Sequence, residues 1–396
     1  MKKIIISLIL LFCLTGCWNY KELNDYSIIS GIAIDKSDDE YEVSILISNS
    51  SKTSSSEASS KPNVVVYTGR GDSIVAATKD IGLISPKELY FGSFSIVVLS
   101  EEIAKDGISE PLDFFLRYSN MGKNFYIVIA KDCKAKDTLK IMTPLTNFPS
   151  QNISDNLSST TKLQGIIAKT NFNDILSIVL RNGVNPVINT IEIKGSVKDG
   201  EKKENLEHSE PEAYTKLGTI AIFKGDKLVD FTNHKESLGI NIINNRIDEM
   251  YLKVENNDGY IIADTTYFKS SRTSTLKNDK PIMNLNFKVE ARIIEVNGKF
   301  DLENPKEISY LESKACKEIK KFANKAIKKS IENKTDIFGF GLDFYREYPN
   351  YFNKVKKEWD NNLGDIKVNM KCNITFKNKM TAKNSLEEIY DKEKIN

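Results

Sequence analysis

The chain has 396 residues, 40% of them hydrophobic and 28% charged, with a formal net charge of +2. Such a composition belongs to a globular protein and excludes an intrinsically disordered one, and the length sets two or three domains as the expectation. With no basic excess on any stretch long enough to form a domain, a nucleic-acid partner is not expected.

The chain opens on Lys2 and Lys3, then an apolar run from Ile4 to Leu14. A positive start and a short apolar core make an export signal. The run is too short to span a bilayer, which takes roughly 20 apolar residues, because Thr15, Gly16, Asn19, Lys21 and Glu22 follow at once. Leu14-Thr15-Gly16-Cys17 resembles the lipobox of bacterial lipoproteins. That resemblance implies cleavage between Gly16 and Cys17, an S-diacylglyceryl group on the Cys17 thiol, and an N-linked acyl chain, palmitate in kind, on its amine. One short acyl chain binds membranes marginally, whereas two long ones anchor stably, so the mature chain is expected to be tethered to a membrane without crossing it. Loss of Lys2 and Lys3 brings the formal charge to about zero. Of the five cysteines, Cys13 leaves with the signal and Cys17 carries lipid. The remaining Cys133, Cys316 and Cys372 are odd in number and lack CxxC spacing, so they are expected as small buried apolar residues, neither a disulfide framework nor a zinc site.

Ile28–Ile34 and Tyr41–Ile47 are β-branched runs on either side of "DKSDDE", which predicts two strands and a turn. The Ser-rich stretch 48–63 has almost no core-forming residue and is expected as a loop. Val64–Thr68 predicts a strand, and "GRGD" a Gly-rich turn before a short helix near Ser73–Ile81, with Asp72 or Ser73 as its cap. Gly69-Arg70-Gly71 lacks the Gly-Lys-Ser/Thr ending of a phosphate-binding loop. From 94 to 193 strands alternate with helices: strands at 94–99, 125–130 and 186–193, helices near 101–105, 108–118, 135–141 and 173–181. Ser100 and Asp132 stand at cap or turn positions. This order predicts helices packed on a sheet. The charged run 194–212 reads as a boundary or exposed excursion.

A second block begins with the hairpin signal "KGDK" between Ile220–Phe223 and Leu228–Phe231, followed by a helix from Lys235. "GYIIADTTYFKSS" and "IMNLNFKVEARIIEV" alternate with period two, and Asn297-Gly298 marks a tight turn. Residues 306–333 predict a long amphipathic helix with Ile308, Leu311, Ala315, Ile319, Phe322, Ala326 and Ile327 on its apolar face. Lys314, Lys317, Lys320, Lys321, Lys325, Lys328 and Lys329 cover its other face. Glu307, Glu312, Glu318 and Glu332 dilute that charge, which favours a solvated face over one turned to anionic lipid.

Several segments together resemble one family: "GCWNYKELNDYSIISGIAID" at 16–35, "ELYFGSFSIVVLSEEIAKDGISEPLDFFLR" at 88–117, "LGTIAIFKGDKLV" at 217–229, and "TDIFGFGLDFYREYP" with Trp359 at 335–359. In order and content the chain is similar to the Ger(x)C lipoproteins, the C subunits of spore germinant receptors, over nearly all of the mature length. Ser93 departs from the family's usual His after "LYFG". The resemblance implies a lipid-anchored subunit on the outer face of the inner spore membrane, working with an A subunit and an integral-membrane B subunit in nutrient sensing and germination.

The residues themselves imply no cofactor, no metal and no enzyme. His208 and His234 have no ligand-like neighbours at helical spacing, no Gly-x-Ser-x-Gly elbow occurs, and the pairs Asp38-Asp39 and Glu101-Glu102 suit turns and helix starts. The rival readings are a membrane-tethered solute-binding lipoprotein, which calls for two similar lobes and a hinge, and a cell-wall hydrolase, which calls for convergent acid and base residues. The expected architecture is α+β, a mixed α/β multidomain chain with sheets flanked by helices, a long amphipathic helix and antiparallel strands toward the C-terminus. The expected division is a signal peptide at 1–16, an N-terminal domain at 17–200, a charged linker at 201–211, a C-terminal domain at 212–380 with a further split near 275, and a polar tail at 381–396.

Overall fold

A computed structural model of the chain describes residues 22, 25–48, 64–118, 121–163, 165–168, 170–256 and 259–377. Cys17, nearly all of the Ser-rich stretch, and the tail at 381–396 lie outside the described residues.

Two sheets organise the molecule. The first comprises β1 (Tyr26–Ser37), β2 (Glu40–Ser48), β3 (Val64–Gly71), β4 (Glu88–Tyr90), β5 (Ile96–Ser100), β6 (Tyr126–Ala130), β7 (Val187–Gly195), β8 (Ala213–Lys224) and β9 (Lys227–Phe231). Its order is β3-β2-β1-β5-β6-β7-β8-β9, with β4 and β5 sharing one edge of β1. The central strands β1, β5, β6 and β7 are parallel, and the flanking pairs are antiparallel.

Parallel strands covered on both faces read as continuous apolar runs, and "IVVLS" and "YIVIA" do. Val97, Leu99, Ile127 and Ile129 enter one core with α1 (Ile74–Ile84), α2 (Glu101–Asp106) and α3 (Ser109–Arg117). Ile96, Val98, Val128 and Ala130 enter a second core on the opposite face with α4 (Ala135–Thr138) and α5 (Pro149–Leu163). Asp35 ties the layers: its carboxylate accepts the N–H of Ala135 at 2.8 Å and of Lys136 at 2.9 Å, capping α4 from β1.

Two sequence expectations change here and a third is filled out. Gly69 and Gly71 extend β3 rather than forming a turn, pairing with Val43 and Tyr41. They are glycines because α1 lies against the strand: a Cβ on Gly69 would sit 2.3 Å from the Ala77 carbonyl, and one on Gly71 would sit 2.7 Å from the Ala76 Cβ. The charged run 194–212, exposed along most of its length as expected, is also structured and anchored. It holds α7 (Val197–Gly200) and α8 (Glu204–Glu207), and buried Asn205 donates to Met142 O at 2.8 Å and Ala213 O at 2.9 Å. Beyond it, β8 and β9 complete the first sheet, so that sheet takes strands from both sides of the run. Asn297 and Gly298 are not a turn but the end of a strand, paired with Tyr260 and Gly259.

The second sheet runs β10 (Tyr251–Asn256), β11 (Gly259–Lys277), β12 (Lys280–Gly298), β13 (Lys367–Phe376). The long hairpin β11–β12 turns at Asn278 and Asp279, both left-handed at φ 51° and 58°, the two-residue geometry that matches strand twist. On β12 the period-two residues Met283, Leu285, Phe287, Val289, Ala291 and Ile293 are buried. Against them pack α9 (His234–Ile243) and α10 (Pro305–Glu332), which buries Leu311, Ala315, Ile319, Ala323 and Ala326. The basic face of α10 is solvated only in part: Lys317, Lys321 and Lys328 are exposed, Lys321 and Lys328 pair with Glu318 and Glu332, Lys314, Lys320 and Lys325 are half-buried, and Lys329 pairs with Asp230 across to β9. α11 (Phe340–Glu347), α12 (Pro349–Val355) and a 3-10 turn at Asp360–Asp365 lead into β13.

The cysteine expectation is also overturned. Cys316 on α10 and Cys372 on β13 form a disulfide with Cα atoms 5.6 Å apart. Sequence spacing gave no sign of it, because the pair is made by packing one helix on one strand. Cys133 is free and half-buried, its thiol pushed up to about 11 by burial.

Candidate functional site

The two sheets meet at the loop 335–342, "TDIFGFGL", which leads into α11. At its centre is Asp336, fully buried. Its Oδ1 accepts N–H groups from Phe338 (3.1 Å), Gly339 (2.8 Å) and Phe340 (3.2 Å). Its Oδ2 accepts from Gly341 N (2.7 Å) and Trp359 Nε1 (2.9 Å). Burial raises the carboxyl above its ordinary range, and these five donors pull against that rise. Local chemistry dictates the loop: Gly339 is left-handed at φ 76°, and a Cβ on Gly341 would meet Trp359 Nε1 at 2.6 Å and Gly183 Cα at 2.8 Å. Gly183 itself has φ 79°, and its carbonyl accepts Leu342 N at 3.1 Å. Glycine is required on both sides of this backbone crossing.

The same hub stitches the sheets. Asn185, just before β7, donates its N–H to Asp336 O (2.7 Å), its side-chain amide to Asp360 Oδ2 (3.1 Å), and accepts Gly225 N (2.8 Å) from the β8–β9 turn. Asp360 Oδ1 accepts Asp336 N at 2.9 Å, and Thr335 Oγ1 donates to Phe223 O at 2.8 Å. Phe344, Phe352 and Trp359 close the apolar side, with ring centroids 5.3–5.5 Å apart at the tryptophan.

Beside this hub lies a cavity of about 270 Å³. It opens between the loop after α6 (Phe172–Val179), the end of α9, β11 and the 335–342 loop. Ile178, Val184, Val187, Ile243 and Leu342 give it apolar walls, and Arg181, Arg246 and Arg272 bring three guanidinium groups to it. Arg272 is held in place: Nη1 donates to Phe338 O at 2.6 Å, Nε pairs with Asp343 Oδ2 at 2.5 Å, and the group lies over the Phe340 ring.

The site residue expected from sequence, Cys17, lies outside the described residues. His234 begins α9 and His208 follows α8. Asp38 and Asp39, at φ 50° and 67°, make the β1–β2 turn. Glu101 and Glu102 occupy the first turn of α2, which Ser100 caps by accepting Ile103 N at 3.2 Å. Ser93 is exposed. Among the described residues, the structure gathers none of these into one cluster. Asp336 lay inside a segment that the sequence singles out, yet without a role, since nothing local marks a carboxylate that gathers donors from a tryptophan 23 residues on. Arg246 carried no signal at all.

The fold and its hub define a class, a mixed α+β protein of two sheets flanked by helices and locked together at one buried carboxylate. Two family models match the chain in order: "Spore germination protein N-terminal domain" over residues 19–193, and "Spore germination B3/GerAC like, C-terminal" over residues 218–380. The chain therefore belongs to the Ger(x)C family of spore germination proteins. It is 29% identical to Spore germination protein KC of Bacillus subtilis (strain 168), over 93% of each chain. It is 25% identical to Spore germination protein GerQC of Bacillus cereus, over 86% of this chain and 89% of that one. The crystal structure of the GerBC protein has the same fold, with a TM-score of 0.54 at 17% identity, covering 91% of this chain and 100% of that one.

Proposed function

We propose that the protein is the lipid-anchored C subunit of a spore germinant receptor, needed for receptor assembly or signalling and without catalysis of its own. It is held through Cys17 on the outer face of the inner spore membrane, beside A and B subunits. The observation that carries this reading is the position of Cys17. The stretch Leu14-Thr15-Gly16-Cys17 resembles a lipobox, and the family match begins two residues after it. Two further facts support it: no helix among the described residues is long and apolar enough to cross a membrane, and the Cys316–Cys372 disulfide suits a chain exported from the reducing cytoplasm.

The test is extraction of spore membranes in mild detergent followed by capture of this protein. The wild-type chain is expected to retain A- and B-type subunits. Cys17→Ala is expected to leave the membrane fraction or to remain uncleaved, and to weaken the response to a nutrient. A mature-sized Cys17→Ala product retained in the membrane would refute the anchor, and a wild-type capture free of both partner types would refute the receptor assignment.

A further inference from the structure

One pole of the first sheet gathers apolar side chains that face solvent. α1 and α3 both return toward the start of β1. At the end of α1, Ser85 Oγ lies 3.3 Å from Ser27 Oγ on β1. Just past α3, the Tyr118 ring is 5.7 Å from Phe91, the residue after β4, and on β4 itself the Tyr90 ring is 5.6 Å from Tyr26. Exposed here are Leu83, at 87%, and Ile84, at 52%, with Tyr90, Leu116 and Tyr118. Single exposed apolar residues are normal on a protein surface, whereas a group of them at one place marks a contact. The last turn of α1 holds no basic residue, although a helix C-terminus in water favours one. Leu83 and Ile84 stand there instead.

The position of this pole says what covers it. β1 begins at Tyr26, nine residues after Cys17. Nine residues reach at most about 30 Å, so acyl chains on Cys17 hold the pole within that distance of the bilayer. We infer that the pole rests in the lipid interface beside its own tether, Leu83 and Ile84 entering the acyl boundary and Tyr90 and Tyr118 lying at headgroup depth. The inference rests on the anchor proposed at Cys17. Leucine and isoleucine side chains gain by leaving water, and a tyrosine ring suits a boundary that is apolar on one side and wet on the other. Charge does not drive the contact, because Lys87 has the acids Asp25 and Glu88 on the adjoining strands, all three exposed. The seating is therefore expected to be indifferent to anionic lipid. It also sets the bearing of the first sheet, since the opposite ends of its parallel strands, where Asp35 caps α4, then point away from the membrane.

The experiment is photolabelling of the mature lipidated chain by a diazirine reagent confined to the acyl region, in vesicles of phosphatidylcholine alone or with phosphatidylglycerol added, and with no other protein present. Leu145 is the internal control: it is 90% exposed, but it follows Met142, whose N–H donates to Gly200 O at 2.8 Å past the far end of β7. Leu83 and Ile84 are expected to take about tenfold more label than Leu145 in both kinds of vesicle, because only side chains set into the boundary meet the reagent. Leu83→Asp, at an exposed position where folding does not depend on the side chain, is expected to cut the labelling of Ile84 and Tyr90 about fivefold, since a charge resists transfer out of water. The same peptide map reads the mass of the Cys17 peptide. Lipid on Cys17 with no excess label at Leu83 and Ile84 would overturn the inference in favour of a protein occupant and leave the anchor standing. Label only in phosphatidylglycerol vesicles, or label unchanged in Leu83→Asp, would also overturn it, and an unmodified Cys17 would remove the anchor and the inference together.

Discussion

Asp336 and Glu42 are buried acids that stay in place by different means, and each gives a test. Asp336 gathers four backbone N–H groups and one indole. Asp336→Asn keeps the shape but turns an NH₂ toward donors, and should lower stability by about 2–4 kcal/mol in urea titration, because buried donors are left unpaired beside a lost charge. Trp359→Phe removes one donor and also opens a cavity beside Phe344 and Phe352, so it should cost at least about 1 kcal/mol. Glu42 is nearly buried on β2, where Lys136 Nζ lies 2.6 Å and Arg70 Nη2 2.8 Å from its oxygens. Burial alone would raise its carboxyl, but the hydrogen bonds from Lys136 and Arg70 outweigh it and hold the group below the ordinary range. A depressed folded value means stability that is full above the unfolded value, about 4.3, and lost as pH falls through the folded one. Glu42→Gln should therefore cost about 1–3 kcal/mol at pH 7, and the gap to wild type should close in acid. A gap that persists unchanged at low pH would assign the loss to packing instead. Neither role was legible in the sequence, since both acids act on partners brought from elsewhere in the chain.

Elements were more legible than residues, and the reason is periodicity. The long helix α10 and the alternating strand β12 each expose their pattern within one contiguous stretch, so burial and sequence agree along them. α5 was missed: "PSQNISDNLSSTTKL" is polar, and past its first turn only Ile153 and Leu157 are buried among its described side chains, supporting the core under β1 and β5. The Gly-rich turn was misjudged at 69–71 because glycine there answers to a neighbouring helix, not to a bend. A paired substitution separates these two uses of glycine. Gly69→Ala drives a methyl into the Ala77 carbonyl, 2.3 Å away, where backbone must shift, and should destabilise by about 2 kcal/mol or more. Gly82→Ala lies at an exposed position of α1 with nothing within 4 Å, and should stabilise by about 0.5–1 kcal/mol through helix propensity. Thermal unfolding of the two variants should move in opposite directions; equal losses would mean that α1 does not pack on β3 as described.

At the scale of the whole molecule, the redox state of its cysteines bears on both its stability and its location. The disulfide joins α10 to β13 across 56 residues, so it clamps the last strand of the second sheet to the helix that covers it. Closing a loop of that length removes chain entropy from the unfolded state worth about 4 kcal/mol in the simplest treatment. The double variant Cys316→Ala/Cys372→Ala should therefore lower the unfolding midpoint substantially, with the largest loss of protection in β13. Alkylation joins this to the anchor. Mature protein taken from spore membranes, denatured without reductant and treated with a maleimide, should be labelled at Cys133 alone, because Cys17 would carry a thioether and Cys316 and Cys372 would be paired. After reduction, Cys133, Cys316 and Cys372 should all be labelled and Cys17 still should not. Label on Cys17 would remove the lipid anchor, and label on Cys316 before reduction would remove the clamp, so one peptide map tests separately how the chain is held at the membrane and how its second sheet is held to itself.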